Sequence, residues 1–243
     1  MKRFKVTIQY DGVNFYGFQR QIDLRTVQGE IEKVLFRIFK TEVTLHANGR
    51  TDAGVHATGQ VIHFDVETNM DEKALKRAMN TYLPKDIHVV ETALVTSEFH
   101  ARFSSIKKEY RYFINTGGYE VFSRNHVYQF NRELDIEKIK EASKLFIGKH
   151  NFYNFCTNEE GSVKDYIRTI ESIEVNVNEG IIEFIIIGDG FLRNMIRMMI
   201  GALLEIGLNR KDKEYISRKL GDDFTRSNYK VPGLGLYLTR VYY

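Results

Sequence analysis

Hydrophobic periodicity runs through this chain in one order, twice: strand, helix, strand, strand, helix, strand. In the first half, residues 4–10 alternate apolar and polar, the period of a half-buried strand. Thr26 stands where an N-cap belongs, ahead of residues 27–40, whose Val27, Ile31, Val34, Leu35 and Ile38 share one helical face. Alternation returns at residues 44–47 and 61–66. Asn69 and Glu72 have capping-box spacing before a helix over about residues 70–83, with Leu75, Ala78, Met79 and Tyr82 inward and Pro84 as its stop. One more strand follows at residues 87–95. That order predicts a split βαβ, or ferredoxin-like, unit.

The second half repeats the order without repeating the sequence. Strand alternation at residues 109–115 leads to a helix over 135–146 marked by Ile136, Ile139 and Leu145. A hairpin over 169–176 and 181–187 comes next, then an apolar helix over 191–206, a short helix near 215–220 and a closing strand at 236–242. The fold expected is α+β. Two ferredoxin-like (RRM-like) halves, residues 1–103 and 104–243, would form one extended, mainly antiparallel sheet, with helices on one face and a central catalytic cleft.

Composition narrows the function classes. The single cysteine, Cys156, excludes an internal disulfide framework and a cysteine zinc cluster. No apolar run approaches the ~18 residues of a membrane span. Met1 to Lys5 leads straight into strand alternation, which leaves no room for a signal peptide, so a cytoplasmic setting is expected. A net charge of +3 permits a nucleic-acid partner without requiring one.

Three stretches carry chemistry. In the segment 48–65, Asp52 lies beside Arg50 among Gly49, Gly54 and Gly59. Glycines at that density allow positive φ and close approach of another molecule. Asp52 on such a loop reads either as a turn former or as a catalytic carboxylate. Residues 11–24 mix Phe15, Tyr16, Phe18 and Arg20 with glycine. They suit either a mobile arm that stacks on bases or an apolar loop folded over the core. The basic connector 99–111, with His100, Arg102, Lys107, Lys108 and Arg111, reads either as a solvated face or as part of an RNA-facing strip. On the apolar helix expected over 191–206, Arg193 and Arg197 stand at i and i+4, hence on one face. A buried arginine needs a carboxylate. Glu205 or Asp189 would make a structural pair, and a functional pair is the alternative.

Six segments together resemble the tRNA pseudouridine synthase A (TruA) family over nearly the whole chain. They are Tyr10-Asp11-Gly12 with Tyr16-Gly17-Phe18-Gln19-Arg20-Gln21, Gly49-Arg50-Thr51-Asp52-Ala53-Gly54-Val55-His56-Ala57, and Phe99-His100-Ala101-Arg102-Phe103-Ser104. Tyr110-Arg111-Tyr112, Phe191-Leu192 with Met195-Ile196-Arg197, and Pro232-Gly233-Leu234-Gly235-Leu236-Tyr237-Leu238 complete the set. Phe18 stands where the family often has Trp, and keeps an aromatic contact.

The resemblance implies isomerisation of uridine to pseudouridine in the anticodon stem-loop of tRNA, at positions 38, 39 and 40. It also implies a homodimer that needs no cofactor and no metal. By motif, Asp52 is the expected nucleophile, Tyr110 the ring over the target base and the group that helps remove a proton, and Arg197 the partner of Asp52. Arg50 would help extract and hold the nucleotide, and Leu236, Arg20 and Arg102 complete the expected substrate contacts. Arg193 receives no catalytic role.

Two rivals make different demands. A non-catalytic RNA-binding module of two RRM-like halves would bind without converting uridine, and gives no reason for Asp52 beside Arg50. A metal-dependent hydrolase would use His46, His56, His63 and Asp52, at spacings that match no established ligand pattern.

Overall fold

A computed structural model of the chain describes residues 1–158, 161, 164–221, 223 and 225–243. They form two units, Met1–Ile106 with Tyr237–Tyr243, and Lys107–Leu236. Both are α+β, as the periodicity predicts.

The first unit opens with β1 (Lys2–Tyr10), whose Phe4, Val6, Ile8 and Tyr10 are buried in alternation. Helix α1 (Val27–Phe39) starts where expected, because the Thr26 Oγ1 accepts the Gly29 N–H at 3.3 Å. It ends at Lys40, which adopts the left-handed conformation at φ 59°. Two strands follow, β2 (His46–Ala47) and β3 (His56–Val66), then α2 (Glu72–Tyr82) and β4 (Ile87–Val95). Strand β1 lies between β3 and β4, antiparallel to both, and β2 pairs antiparallel with β3. This is the ferredoxin-like neighbour order.

Details of α2 correct the reading from spacing. Its N-cap is Asp71, whose Oδ1 accepts the Ala74 N–H at 2.7 Å. Asn69 lies outside the helix, in a local turn where the Thr68 hydroxyl takes the Met70 N–H at 3.1 Å. Leu75 and Met79 are buried, but Tyr82 is 41% exposed. The Arg37 guanidinium lies 4.0 Å from the centre of the Tyr82 ring, so that ring is covered by a cation instead of by the core.

The second unit runs β5 (Lys107–Asn115), β6 (Tyr128–Gln129), α3 (Ile136–Ser143), β7 (Gly148–Asn151), β8 (Ile167–Asn178), β9 (Ile181–Gly188), α4 (Met195–Gly207) and α5 (Glu214–Leu220). Strands β5, β9, β8 and β7 are neighbours in that order and antiparallel, while β6 runs parallel to β5. Glu179 and Gly180, both at positive φ, make the two-residue turn between β8 and β9. Asp135 caps α3 by accepting the Lys138 N–H at 3.1 Å.

Helix α4 begins at Met195, four residues later than its apolar pattern suggests, after Asn194 in the left-handed region at φ 61°. Phe191 and Leu192 extend the hydrophobic run without being helical. Arg193 is therefore exposed and off the helix, and its N–H donates to Asn158 Oδ1 at 2.9 Å. The expected pairing of Arg193 with Arg197 on one helical face does not hold. Once inside the helix, apolar burial is nearly complete around the circumference, from Met195 to Gly207.

The closing strand, β10 (Leu236–Tyr242), differs most from expectation. It pairs in parallel with β3, Tyr237 opposite His56 and Leu238 opposite Ala57. Strand β3 accordingly begins at His56 and not near Val61, while β2 is cut to His46 and Ala47 opposite Ile62 and His63. The two partners share one edge of β3. Gly59 makes this approach possible, since a Cβ there would lie 2.2 Å from the Thr239 carbonyl oxygen. No helix among the described residues is long and apolar enough to cross a membrane.

Candidate active site

In the first unit, the Asp52 loop is tied through its backbone at several points. The Gln60 amide donates to the Gly49 carbonyl at 2.9 Å, and the Phe18 N–H to the Thr51 carbonyl at 3.0 Å. Tyr10 and Thr51 share a buried hydroxyl–hydroxyl bond of 2.8 Å, and burial pushes the Tyr10 phenol up to about 12. Gly54, at φ 74°, lets the chain turn so that the Val55 N–H reaches the Asp52 carbonyl at 3.2 Å. The Asp52 side chain is half-buried on this tied loop, and Arg50 is exposed. Ordering the backbone beforehand leaves a carboxylate little freedom to lose on meeting a substrate.

The aromatic stretch beside it settles between its two readings by residue. Phe15 and Phe18 are buried against the core, as an apolar loop demands, whereas Tyr16 is 58% exposed. Arg20 is exposed and pairs with Glu32 at 3.2 Å. The glycines here are steric requirements. A Cβ on Gly12 would meet the Val55 carbonyl oxygen at 2.1 Å, and one on Gly17 the Thr51 carbonyl oxygen at 2.8 Å. Gly17 also has φ 90°. Gly17→Ala is therefore expected to cost about 1–3 kcal/mol, with Tm lower by roughly 2–4 °C per kcal/mol. Calorimetry checks the first effect. A steady-state assay should show reduced kcat, because the displaced atom belongs to the residue next to Asp52.

Histidines named in the metal reading fall into two places. His46 and His63 stack at 4.9 Å with 18° between their planes, and His63 Nδ1 accepts the Ala101 N–H at 3.1 Å. That is ring packing with one nitrogen already engaged. His56 instead stacks on Tyr237 at 4.6 Å, and its Nδ1 accepts the Gly12 N–H at 3.1 Å.

In the second unit, Tyr110 lies on β5 and is 8% exposed, with Phe191 edge-on to its ring at 5.1 Å. Its motif gives no sign of this contact, which joins Phe191 to a residue far away in sequence. Arg197 is fixed from two sides: its Nε donates to the Val231 carbonyl at 2.8 Å and an Nη to Asn194 Oδ1 at 2.7 Å. The Val231 N–H returns a bond to the Arg197 carbonyl at 3.2 Å. Both structural partners considered for Arg197 are engaged with other groups. Glu205 pairs with Arg210 at 3.3 Å, and Asp189 accepts the Thr169 N–H at 3.0 Å. Leu236 is buried at the end of a tight turn, where a Cβ on Gly235 would meet the Phe113 carbonyl oxygen at 2.7 Å. Asn194 and Val231 carried no signal in the sequence, since what they hold is set by folding.

The family model described as tRNA pseudouridine synthase matches residues 6–104 and 142–243. Over 245 residues the chain is 41% identical to a tRNA pseudouridine synthase A of Geobacillus sp., covering 100% of this chain and 98% of that one. Over 246 residues it is 44% identical to tRNA pseudouridine synthase A 1 of Bacillus cereus, covering 100% and 99%. A tRNA pseudouridine synthase A of Anoxybacillus flavithermus is 44% identical over 247 residues, with 100% and 99% covered.

Proposed function

The chain belongs to the tRNA pseudouridine synthase family and is an isomerase of tRNA uridines; from that premise we propose that Asp52 is its nucleophile, with Tyr110 and Arg197 acting on the same uridine. The observation that supports this most is the Gly-Arg-Thr-Asp-Ala-Gly segment on a loop whose backbone is tied at Gly49, Thr51 and Asp52 itself. The target lies in the anticodon stem-loop, at positions 38, 39 and 40.

The chemistry needs few groups. The N1–C1′ bond of uridine breaks, the base turns, and a C5–C1′ bond forms. A carboxylate nucleophile can hold one fragment on the enzyme meanwhile: attack at C1′ tethers the sugar until C5 displaces the carboxylate, and attack at C6 tethers the base until elimination releases it. Asp52 fills that part and leaves at the end. The last step removes the proton from C5, which calls for a base, and Tyr110 or a water it positions serves there. Tyr110 is suited by its setting, a ring held edge-on by Phe191. By its motif, Arg197 is the residue that orients the nucleophile, and its planar fork suits that part. No electron changes hands, so the reaction needs no redox cofactor.

A base paired in a stem must be flipped out, at a cost of a few kcal/mol. Arg50, Arg20 and Arg102 are all exposed, as residues that contact RNA need to be. Leu236, through its motif, is a further substrate contact. The enzyme acts as a homodimer in the cytoplasm, and analytical ultracentrifugation tests the dimer directly.

Incubation with unmodified tRNA transcripts, followed by mapping of pseudouridine along the anticodon arm, tests the whole assignment. Conversion confined to positions 38–40 is expected, and an unmodified anticodon arm would overturn it. For Tyr110→Phe, stacking survives and the hydroxyl is lost. Turnover is expected to fall by roughly 10²–10⁴, with rearranged substrate held on the enzyme. Wild-type turnover in this variant would remove the hydroxyl from the mechanism.

A further inference from the structure

The turn over residues 100–104 in the first unit is ordered far beyond what an exposed connector requires. The His100 N–H donates to Ser104 Oγ and the Ser104 N–H to the His100 carbonyl, each at 2.9 Å. His100 Nδ1 accepts two backbone N–H groups, Arg102 at 3.1 Å and Phe103 at 3.3 Å. The Ala101 N–H is taken by His63 Nδ1. The Ala101 carbonyl accepts both the Asn48 amide at 2.8 Å and the Tyr243 hydroxyl at 2.7 Å. Burial, helped by the charges of His100 and His46, holds the His63 imidazole down to about 4. Its lone pair is therefore free to accept at neutral pH, and burial lowers His100 in the same sense.

What this scaffold displays is Phe103. The ring is 77% exposed, although Phe is among the residues most often fully buried. It rests on the His100 ring at 4.4 Å, and the Arg102 guanidinium lies 5.8 Å from its centre. An aromatic ring backed by a second ring, with a cation at its side and most of its surface open, is the arrangement on which an unpaired base stacks while its phosphate meets the arginine. We propose that Phe103, held by His100, is a stacking platform for an unpaired nucleobase of the tRNA, and so a binding contact away from the reacting base. This rests on the tRNA reading given above and adds to it a base-stacking role for Phe103.

The platform is tied to the chemistry through Asn48. That residue is fully buried, donates to the Ala101 carbonyl, and takes the Val61 carbonyl with its own N–H at 2.8 Å. It stands at the entrance of the loop that carries Asp52.

The test compares Phe103→Leu and Phe103→Trp with the wild type, using unmodified tRNA transcripts. Aromatic stacking is worth ~1–3 kcal/mol per base, so Phe103→Leu is expected to raise the tRNA Kd and KM about fivefold or more. Its kcat at saturating tRNA should stay within about twofold. Phe103→Trp should restore affinity. With 2-aminopurine at single unpaired positions of the anticodon loop, one position should be quenched by the wild type and by Phe103→Trp but not by Phe103→Leu. Unchanged Kd in Phe103→Leu would overturn the proposal, and so would a fall in Tm large enough to account for the loss. Binding and fluorescence do not depend on turnover. If the wild type made no pseudouridine, the isomerase reading would fail while these measurements still decided the platform.

Discussion

Asp52→Ala is expected to abolish pseudouridine formation while the Kd for tRNA stays within about tenfold, or roughly 1.4 kcal/mol. The two effects separate because they draw on different atoms. Affinity for RNA comes mainly from phosphate contacts spread over many Arg and Lys side chains, of which this chain has 35. Bond exchange at the sugar needs one nucleophile, and nothing else on the tied loop from Gly49 to Val55 can replace a carboxylate. The loop keeps its ties at the Gly49, Thr51 and Asp52 carbonyls and the Thr51 hydroxyl, which Asp52→Ala leaves in place. Single-turnover assays beside filter-binding titrations give both numbers. Substantial residual turnover in Asp52→Ala would remove Asp52 from the role of nucleophile.

Arg197→Ala should lose activity and stability together. Its guanidinium bridges the Val231 carbonyl and Asn194 Oδ1, so truncation leaves two acceptors without their charged donor. A loss on the order of 1–3 kcal/mol is expected from those acceptors alone. Arg197→Lys should recover part of the stability but little of the activity, because an ammonium cannot reproduce the planar fork that meets two acceptors at once. Denaturant titration and kcat measurement give the two axes. A double-mutant cycle of Asp52→Asn and Arg197→Lys then decides the partnership: a coupling of about 1 kcal/mol or more supports it, and strict additivity counts against it.

Most element types could be read from local pattern. Period-two alternation in β1 and the 3.6-residue face of α1 are properties of consecutive residues. The Thr26 cap needs only its own oxygen and a backbone N–H three residues on. The α2 cap shows where that reading fails. Asn69 and Asp71 are both competent caps by residue type, and in the fold it is Asp71 that takes an N–H of the first turn. A similar limit applies at α4. Phe191 and Leu192 fit its apolar run, but a left-handed Asn194 starts the helix after them and removes Arg193 from it.

The sequence by itself determined the order of the elements, the α+β class, the family through its motifs, and the segment that presents Asp52. These are encoded in neighbouring side chains, whose spacing decides which face is apolar and whose glycines decide where the backbone can turn. Only the tertiary structure decided that β3 starts at His56, since its partner there is β10, from the far end of the chain. It alone decided that Phe18 and Tyr10 hold Thr51, that Val231 and Asn194 hold Arg197, and that Phe103 is displayed on His100. Such contacts join residues far apart in sequence, or depend on one backbone angle, and periodicity carries no record of either. Their energy is realised only when packing has brought both partners together, which is why the same residues, read in line, leave the choice open.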